Sequence, residues 1–205
     1  MTPLTEFAIT ASIISLFAGY LCGSVPFGLV LTKLFVGTDI RAIGSGNIGA
    51  TNVLRTGKLA LAFATLVLDA GKGAIAILVL AAFFPPESAV LAGAGAVLGH
   101  CFPVWLRFSG GKGVATSMAV VAALSWQAGL LMVINWLLIA RISGYSSLAA
   151  LLSFVAAGLF ALTLPPITAC VIVFISVLSW ARHYKNIRRL LAGTESKISL
   201  SRSKS

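Results

Sequence analysis

Six long apolar runs dominate the sequence and constrain what it can fold into. They cover residues 7–36, 59–83, 88–103, 114–140, 147–163 and 167–181. A helix that crosses a bilayer needs about 20 predominantly apolar residues. Of the 205 residues, 59% are apolar and 10% are charged, whereas about 25% of the residues of a soluble domain are charged. The composition excludes a soluble or disordered chain, and it predicts an all-α integral membrane protein with one polytopic domain over 1–205.

The charges between the apolar runs predict the orientation of the chain. The net charge is +10, and basic residues dominate the segments 37–58 and 104–113 and the tail from Arg182 onward. The positive-inside rule places these three parts in the cytoplasm. The N-terminus and the turn at 84–88 each carry a single acid and are predicted to lie outside. Residues 196–205, rich in Ser and Lys, are expected to form a flexible cytoplasmic tail.

The number of apolar runs agrees with this orientation only if one run enters and leaves the membrane on the same side. Three runs separate segment 104–113 from the tail, although both are predicted to be cytoplasmic. Arg141 ends the run 114–140 and also looks cytoplasmic, so this run is predicted to enter and return as two half-length helices around Trp126 and Gln127. The result is five full crossings plus a cytoplasm-facing helical hairpin, about seven helices. Six crossings with one misplaced loop is the alternative.

The segment 44–57 has the composition of a phosphate-binding loop. It reads GSGNIGATNVLRTG and combines four glycines, small hydroxyls, two Asn and Arg55. Glycine lets backbone N–H groups approach an anion closely, and arginine binds phosphate through two parallel hydrogen bonds. A flexible loop between helices is the alternative interpretation.

A second glycine-rich segment, SGGKGVATS at 109–117, directly precedes an apolar run. Backbone amides at a helix N-terminus beside Lys112 are typical of an anion site. Gly113 follows Lys112, so the spacing of a nucleotide-binding P-loop is absent and ATP hydrolysis is not indicated. The alternative is a glycine-rich turn whose lysine reaches the membrane surface.

Other ionisable residues allow two interpretations each. His183 and Asn186 would share a face of a helix, although the basic residues around them could simply bind lipid headgroups. Asp69 and Lys72 interrupt an apolar run at a spacing of three, which indicates either a structural ion pair or a polar cavity. His100 is expected to be a structural, hydrogen-bonded histidine, and a site residue is the alternative. The five acids form no close pair in the sequence, which argues against metal-dependent phosphotransfer.

The sequence resembles the bacterial membrane acyl-phosphate:glycerol-3-phosphate acyltransferases in stretches that cover most of the chain in order. These are GSVPFG at 23–28, DIRAIGSGNIGATNVLRTG at 39–57, DAGKG at 69–73, GHCFPVWLRFSGGKGVAT at 99–116, GYSSLAAL at 144–151 and HYKNIRRLLAGTE at 183–195. The resemblance implies a seven-helix protein of the bacterial inner membrane with its active site facing the cytoplasm. It implies transfer of an acyl chain from acyl phosphate to the sn-1 hydroxyl of glycerol-3-phosphate, which gives lysophosphatidic acid and inorganic phosphate in phospholipid biosynthesis. No metal, cofactor or acyl-CoA is expected.

The resemblance also assigns site residues. Those expected to be catalytic are Ser45, Arg55, His183 and Asn186. Those expected to bind substrate are Gly44, Asn47, Thr51, Asn52, Gly110, Gly111, Lys112, Gly113, Thr116 and Ser147. Glu195 is expected to be structural. The sequence departs from the family pattern at Gly144, where an Arg usually precedes Tyr, and at Ser109, where a basic residue is common.

The expected partners are acyl phosphate, glycerol-3-phosphate and bilayer lipid, with no nucleic acid; the enzyme that makes acyl phosphate is a candidate protein partner. We hypothesise that a phosphate oxygen of the acceptor takes the hydroxyl proton, while His183 orients the acceptor. Two other functions fit parts of the sequence. A transporter of a phosphorylated metabolite would use the same anion-binding helix ends, and a non-catalytic scaffold would bind anionic lipid through the basic tail.

Overall fold

The computed structural model describes residues 2–198, and this part of the chain is built from helices joined by short turns. Its ten α-helices are α1 (Pro3–Gly23), α2 (Phe27–Val36), α3 (Ala50–Val53), α4 (Leu59–Ala81), α5 (Pro86–Cys101), α6 (Val114–Leu124), α7 (Trp126–Ser143), α8 (Ser146–Ala161), α9 (Pro166–Arg182) and α10 (Tyr184–Leu191). Seven of these have 11 residues or more: α1 and α4 to α9. This number agrees with the predicted helix count.

Several helical segments are long and apolar enough to cross a membrane. In the described part of the chain there are four of them: Pro3–Val36, Leu59–Ala81, Pro86–Leu106 and Trp126–Ser143. The helices α9 and α10, bent by 57° at their junction, make a fifth if they are taken together. The shorter apolar helices α6 and α8 pack among these segments. The structure is therefore that of an integral membrane protein.

The apolar run 114–140 breaks where the charge pattern predicts a hairpin. Ser125 is extended between α6 and α7, and its hydroxyl accepts a hydrogen bond from the amide of Ala128 at 3.4 Å. A Cβ at Gly129 would overlap Ala122, so the two helices pack closely after the break. The prediction of two half-length arms is wrong for the second arm. The helix α6 has 11 residues, but α7 has 18 and is about 27 Å long, enough for most of a bilayer.

The run 7–36 is likewise not one continuous helix. It divides into α1 and α2 around Val25 and Pro26, because proline cannot donate the hydrogen bond that would continue the helix. The carbonyl of Val25 instead accepts a hydrogen bond from Lys72 Nζ at 2.8 Å. Lys72 also pairs with Asp69 at 2.9 Å, with both side chains buried. Of the two interpretations of these residues, the structure shows the ion pair.

The helix α5 lies at the centre of the bundle and contacts α1, α4, α6 and α9. Glycines bring α1 and α5 together, because a Cβ at Gly19 would overlap Ala92 and one at Gly95 would overlap Leu16. Small residues permit such close approach of helices in a membrane, where packing drives association. The central position of α5 places its C-terminal end directly beneath the second glycine-rich segment.

The segment 37–58 is a folded unit with its own small core. That core lies against α2 and α4 and consists of Leu29, Ile40, Ile48, Val53 and Ala62. A Cβ at Gly28 would overlap the carbonyl of Ile48, so the unit sits tightly on α2. The alternative of a flexible loop between helices does not fit this packing.

Candidate active site

The first glycine-rich segment folds around the side chain of Asn52, which is 2% exposed. Its Nδ2 donates to the carbonyls of Ile40, Ile43 and Asn47 at 3.0, 2.9 and 2.8 Å, and its Oδ1 accepts from the amide of Ser45 at 3.1 Å. These contacts engage both ends of the amide group. Asn52 was predicted to bind substrate, but its placement indicates that it shapes the loop.

The guanidinium of Arg55 lies over Gly44 at the surface of this loop. A Cβ at Gly44 would be 2.7 Å from Arg55 Cδ, and Gly44 has a φ of +55°. Arg55 Nη2 donates to the hydroxyl of Ser196 at 2.6 Å. The predicted side chains that the loop leaves exposed or half-buried are Ser45, Asn47, Thr51 and Arg55. This surface is therefore accessible to a substrate.

The second segment is fastened to α5 by its own backbone. The amide of Gly110 donates to the carbonyl of Cys101 at 3.2 Å, and that of Gly111 donates to the carbonyl of His100 at 3.0 Å. The substrate-binding role predicted for Gly110 and Gly111 cannot come from these two amides. Lys112 and the free amides of the first turn of α6, which begins after Gly113, remain available for an anion.

Close packing explains why both positions are glycine. A Cβ at Gly110 would overlap the carbonyl of His100, and one at Gly111 would overlap its imidazole ring. The ring lies 3.4 Å from the hydroxyl of Thr116, which donates to the carbonyl of Asp69 at 2.7 Å. His100 is buried between the loop and Thr116, a placement that fits the expected structural histidine. Thr116, predicted to bind substrate, is buried in the same contacts beneath the loop.

In the third segment the carboxylate of Glu195 gathers three donors. Oε1 accepts from Ser147 Oγ at 2.7 Å and from Asn186 Nδ2 at 2.5 Å, and Oε2 accepts from Arg189 Nε at 2.6 Å. Burial by itself would raise the pKa of Glu195, but the hydrogen bonds from these donors outweigh it and lower the pKa. Glu195 is therefore ionised near neutral pH and holds two predicted site residues, Ser147 and Asn186, in place.

The imidazole of His183 lies at the junction of α9 and α10 and is 1% exposed. Its Nδ1 is 2.7 Å from the carbonyl of Ser179. Because a carbonyl can only accept, the proton is assigned to Nδ1, and Nε2 keeps a free lone pair. Burial, reinforced by the nearby charge of Lys112, lowers the pKa of His183 to about 4. His183 is therefore a neutral hydrogen-bond acceptor near pH 7.

The three segments meet around Lys112. Burial, opposed by the carboxylate of Glu195 and reinforced by three nearby arginines, lowers the pKa of this lysine to about 8. Three further cations, Arg55, Arg182 and Arg189, lie near Lys112, and Glu195, which pairs with Arg189, is the carboxylate whose charge opposes them there. An excess of positive charge in a partly buried site suits ligands with a doubly charged phosphate.

Sequence reasoning did not single out Arg182 for this site. It ends α9 next to His183 and donates to the carbonyls of Gly111 and Gly110 at 3.1 and 2.9 Å. In the sequence it is one of several basic residues after the last apolar run. Because its acceptors are main-chain atoms, no residue type in the loop indicates the contact.

The residues after α10 run back across the site. The amide of Ile198 donates to the carbonyl of Gly144 at 2.8 Å, and Lys197 Nζ lies 5.7 Å from the centre of the Tyr145 ring. Together with the contact of Ser196 to Arg55, these contacts hold 196–198 against the bundle, where a flexible tail was predicted. The remainder of that predicted tail, 199–205, lies outside the described residues.

The described residues 2–198 contain no group of three or more His, Cys, Asp or Glu side chains placed to hold a metal ion. The fold and the site together define a helical integral membrane protein with a cation-rich site suited to phosphorylated ligands.

Comparison with known proteins assigns the family. The family model described as glycerol-3-phosphate acyltransferase matches residues 13–193. The chain therefore belongs to the glycerol-3-phosphate acyltransferase family.

Bacterial relatives and solved structures agree with this assignment. A glycerol-3-phosphate acyltransferase of Mesorhizobium japonicum is 55% identical over 188 residues, which are 91% of this chain and 95% of the relative. One of Rhodospirillum rubrum is 56% identical over 190 residues, 88% of each chain. The crystal structure of the integral membrane glycerol 3-phosphate acyltransferase PlsY (YgiH) in its glycerol 3-phosphate form matches with a TM-score of 0.84 at 37% identity, covering 94% of this chain and 96% of that one. A lysophosphatidic acid form of PlsY matches with a TM-score of 0.82.

Proposed function

We propose that this chain transfers an acyl chain from acyl phosphate to the sn-1 hydroxyl of glycerol-3-phosphate and releases lysophosphatidic acid and inorganic phosphate. Family membership supports the acceptor, and the two forms in which PlsY was solved support both acceptor and product. The observation that carries the proposal is the group of four cationic side chains formed by Lys112 and the three arginines near it, Arg55, Arg182 and Arg189, with Glu195 as the opposing carboxylate. A reaction with a phosphate on each substrate needs such an excess of positive charge.

The reaction balances without an external reagent. The acceptor hydroxyl oxygen forms an ester bond to the acyl carbon, and the bond between that carbon and the phosphate oxygen breaks. The phosphate leaves with the electron pair of the broken bond, and the hydroxyl proton moves to a phosphate oxygen. Because acyl phosphate is already activated, binding and orienting the two substrates supplies most of the rate.

Each part of the site then has a role. Lys112 and the first-turn amides of α6 bind the phosphate of glycerol-3-phosphate, while Arg55 and Ser45 on the first segment bind the donor phosphate. Asn186 is held by Glu195 and contributes a fixed polar side chain beside His183. The first-turn amides act through the positive end of the helix dipole.

The geometry of His183 favours orientation over deprotonation. Its Nε2 lone pair can accept a hydrogen bond from a hydroxyl of glycerol-3-phosphate and hold the acceptor in place, while burial lowers its pKa to about 4, which makes the imidazole a weak base. The second pKa of a phosphate monoester is about 6. We infer that a phosphate oxygen of the acceptor, which carries a negative charge near neutral pH, takes the proton of the reacting hydroxyl.

We infer that the protein lies in the bacterial inner membrane with this site on the cytoplasmic side. The excess of basic residues in 37–58, in 104–113 and from Arg182 onward supports this orientation. Glycerol-3-phosphate would then reach the site from the cytoplasm, and the acyl chain would enter from the bilayer. Labelling single cysteines placed in these segments with a membrane-impermeant reagent tests the orientation.

The activity is tested on purified protein in lipid nanodiscs. Radiolabelled glycerol-3-phosphate is supplied with palmitoyl phosphate, and palmitoyl-CoA serves as a parallel donor. We expect lysophosphatidic acid from palmitoyl phosphate alone, with a loss of at least about 100-fold in Ser45→Ala and Arg55→Ala. Lys33→Ala is the matched control, because this exposed lysine lies outside the site. Product from palmitoyl-CoA instead would overturn the donor, and no product from either donor in folded protein would favour transport.

A further inference from the structure

Arg182 connects the end of α9 to the second glycine-rich segment. Its Nε donates to the carbonyl of Gly111 at 3.1 Å, and its Nη2 donates to the carbonyl of Gly110 at 2.9 Å. The guanidinium carbon lies 4.9 Å from the centre of the Phe102 ring, which fixes the plane of the group from a third direction. One side chain thus holds two successive peptide groups.

The segment has two sets of tethers, and they come from different helices. The end of α5 accepts hydrogen bonds from the amides of Gly110 and Gly111, and Arg182 donates to their carbonyls. Neither glycine has a side chain that could fix its position. The location of the next residue, Lys112, therefore depends on these four hydrogen bonds to the main chain of the two glycines. Arg182 donates two of the four.

The two ends of this connection adjoin the two functional groups of the site. Arg182 directly precedes His183, and Gly111 directly precedes Lys112. We propose that Arg182 is a positioning residue, which sets Lys112 at a fixed distance from His183 so that the amine meets the phosphate while the imidazole meets the hydroxyl of the same acceptor. This inference rests on the proposed function, because it assigns the Lys112 segment to glycerol-3-phosphate.

Lysine cannot perform this role, although it carries the same charge. Its ammonium is a single point with a flexible stem, whereas the guanidinium is a rigid planar fork that reaches two carbonyls and stacks on an aromatic face. Arg182→Lys therefore keeps the positive charge and removes the planar group that contacts the two carbonyls and the ring. Phe102→Leu weakens the same geometry from the other side and leaves the charge of Arg182 in place.

The test compares Arg182→Lys with Arg188→Lys, the matched control. Arg188 lies 5.9 Å from the Tyr184 ring on the exposed face of α10. Like Arg182 it therefore contacts an aromatic ring, but unlike Arg182 it makes no hydrogen bond to the glycine-rich segment. Initial rates are measured with each substrate varied, and glycerol-3-phosphate affinity is measured by calorimetry. In Arg182→Lys we expect KM and Kd for glycerol-3-phosphate to rise about tenfold or more, with kcat and the KM for acyl phosphate changed less than about threefold.

Phe102→Leu should raise the same KM by a smaller factor and add little in the Arg182→Lys background, since both act through one contact. The proposal is overturned if Arg182→Lys lowers only the apparent kcat, as a loss of folded protein would, or if Arg188→Lys gives the same rise in KM. If the wild-type protein forms no lysophosphatidic acid but binds glycerol-3-phosphate with an affinity that Arg182→Lys weakens, the proposed reaction fails and the positioning role stands.

Discussion

Asn186 Nδ2 lies 2.5 Å from Glu195 Oε1, so a carboxylate outside the predicted set of site residues determines where a predicted catalytic amide points. The same oxygen accepts a hydrogen bond from the hydroxyl of Ser147, and the second oxygen accepts one from Nε of Arg189. Side chains from α8 and α10 thus share one anion. The position of Asn186 depends on the charge of Glu195 as much as on the helix that carries it.

Glu195→Gln should therefore destabilise the protein and reduce its activity. A glutamine offers one acceptor oxygen to three donors and turns an N–H group toward at least one of them. Hydrogen bonds to a charged group contribute about 1.5–3 kcal/mol each, and we expect a loss of about that size. Thermal unfolding followed by tryptophan fluorescence measures it. Glu87→Gln, at an exposed position, should stay within about 0.5 kcal/mol of wild type, and equal melting temperatures for Glu195→Gln and wild type would contradict the prediction.

Activity should decrease at alkaline pH because Lys112 loses its proton early. Burial lowers its pKa to about 8, so the cation that we propose binds glycerol-3-phosphate disappears as pH rises through this value. We expect kcat/KM for glycerol-3-phosphate to fall about tenfold per pH unit above pH 8. Lys112→Arg retains its charge and should show no such fall up to about pH 9.5.

The stability contribution of Lys112 should change in the opposite direction. Between about pH 8 and the ordinary lysine pKa of 10.5, the unfolded chain still binds the proton that the folded protein has released. The contribution of this group to the free energy of unfolding therefore increases with pH across that window. Chemical denaturation at several pH values, with Lys112→Arg as the reference, measures this contribution.

The activity prediction has its own contradicting outcome. If kcat/KM for glycerol-3-phosphate stays flat above pH 8 in the wild type, the lowered pKa of Lys112 has no functional role.

His183→Gln should retain most of the turnover. If His183 orients the hydroxyl through Nε2, the amide of glutamine can donate to Ser179 and still accept from the substrate. We expect kcat within about tenfold of wild type, whereas loss of a general base costs about 100-fold to 10,000-fold. Single-turnover rates at pH 7 distinguish these values. A drop of several orders of magnitude would identify His183 as the base.

Gly111→Ala should disturb the site through its contact with His100. The new Cβ would overlap the imidazole ring, so the ring or the loop must move. Overpacking of this kind costs about 1–3 kcal/mol, and the shifted loop should also bind glycerol-3-phosphate more weakly. Gly71→Ala provides the control. Its Cβ would meet nothing closer than Ile75 at 3.7 Å, and alanine there should stabilise α4 by about 0.5–1 kcal/mol. Equal melting temperatures for the two variants would contradict this account.

The sequence predicts the helical membrane fold and the break in the run 114–140, because hydropathy and charge are properties of residue types. It does not predict the unequal lengths of the two arms: the break lies at Ser125, which leaves 11 residues to α6 and 18 to α7. The apolar residues on both sides of Ser125 do not distinguish a short arm from a long one. The division of the first run at Pro26 follows proline chemistry but is hidden by the apolar residues on both sides.

Sequence motifs also indicate which segments form the site but not what each residue contacts. The side chain of Asn52 turns inward to three carbonyls, and Thr116 bonds to the carbonyl of Asp69. Backbone carbonyls exist at every position of a chain, so the residue types in a sequence do not indicate which carbonyl a side chain will contact. The same holds for Arg182, whose acceptors are two glycine carbonyls.

The hydrogen bond between Arg55 and Ser196 joins positions that are 141 residues apart in the chain. Closing so long a loop costs conformational entropy before any contact at its ends repays it. We therefore expect the intervening helices to pack before this contact forms, so that a partly folded chain carries no assembled site. Recovery of acyl transfer after refolding should lag behind recovery of helix content, so that enzymatic turnover reports completion of the tertiary fold rather than its onset.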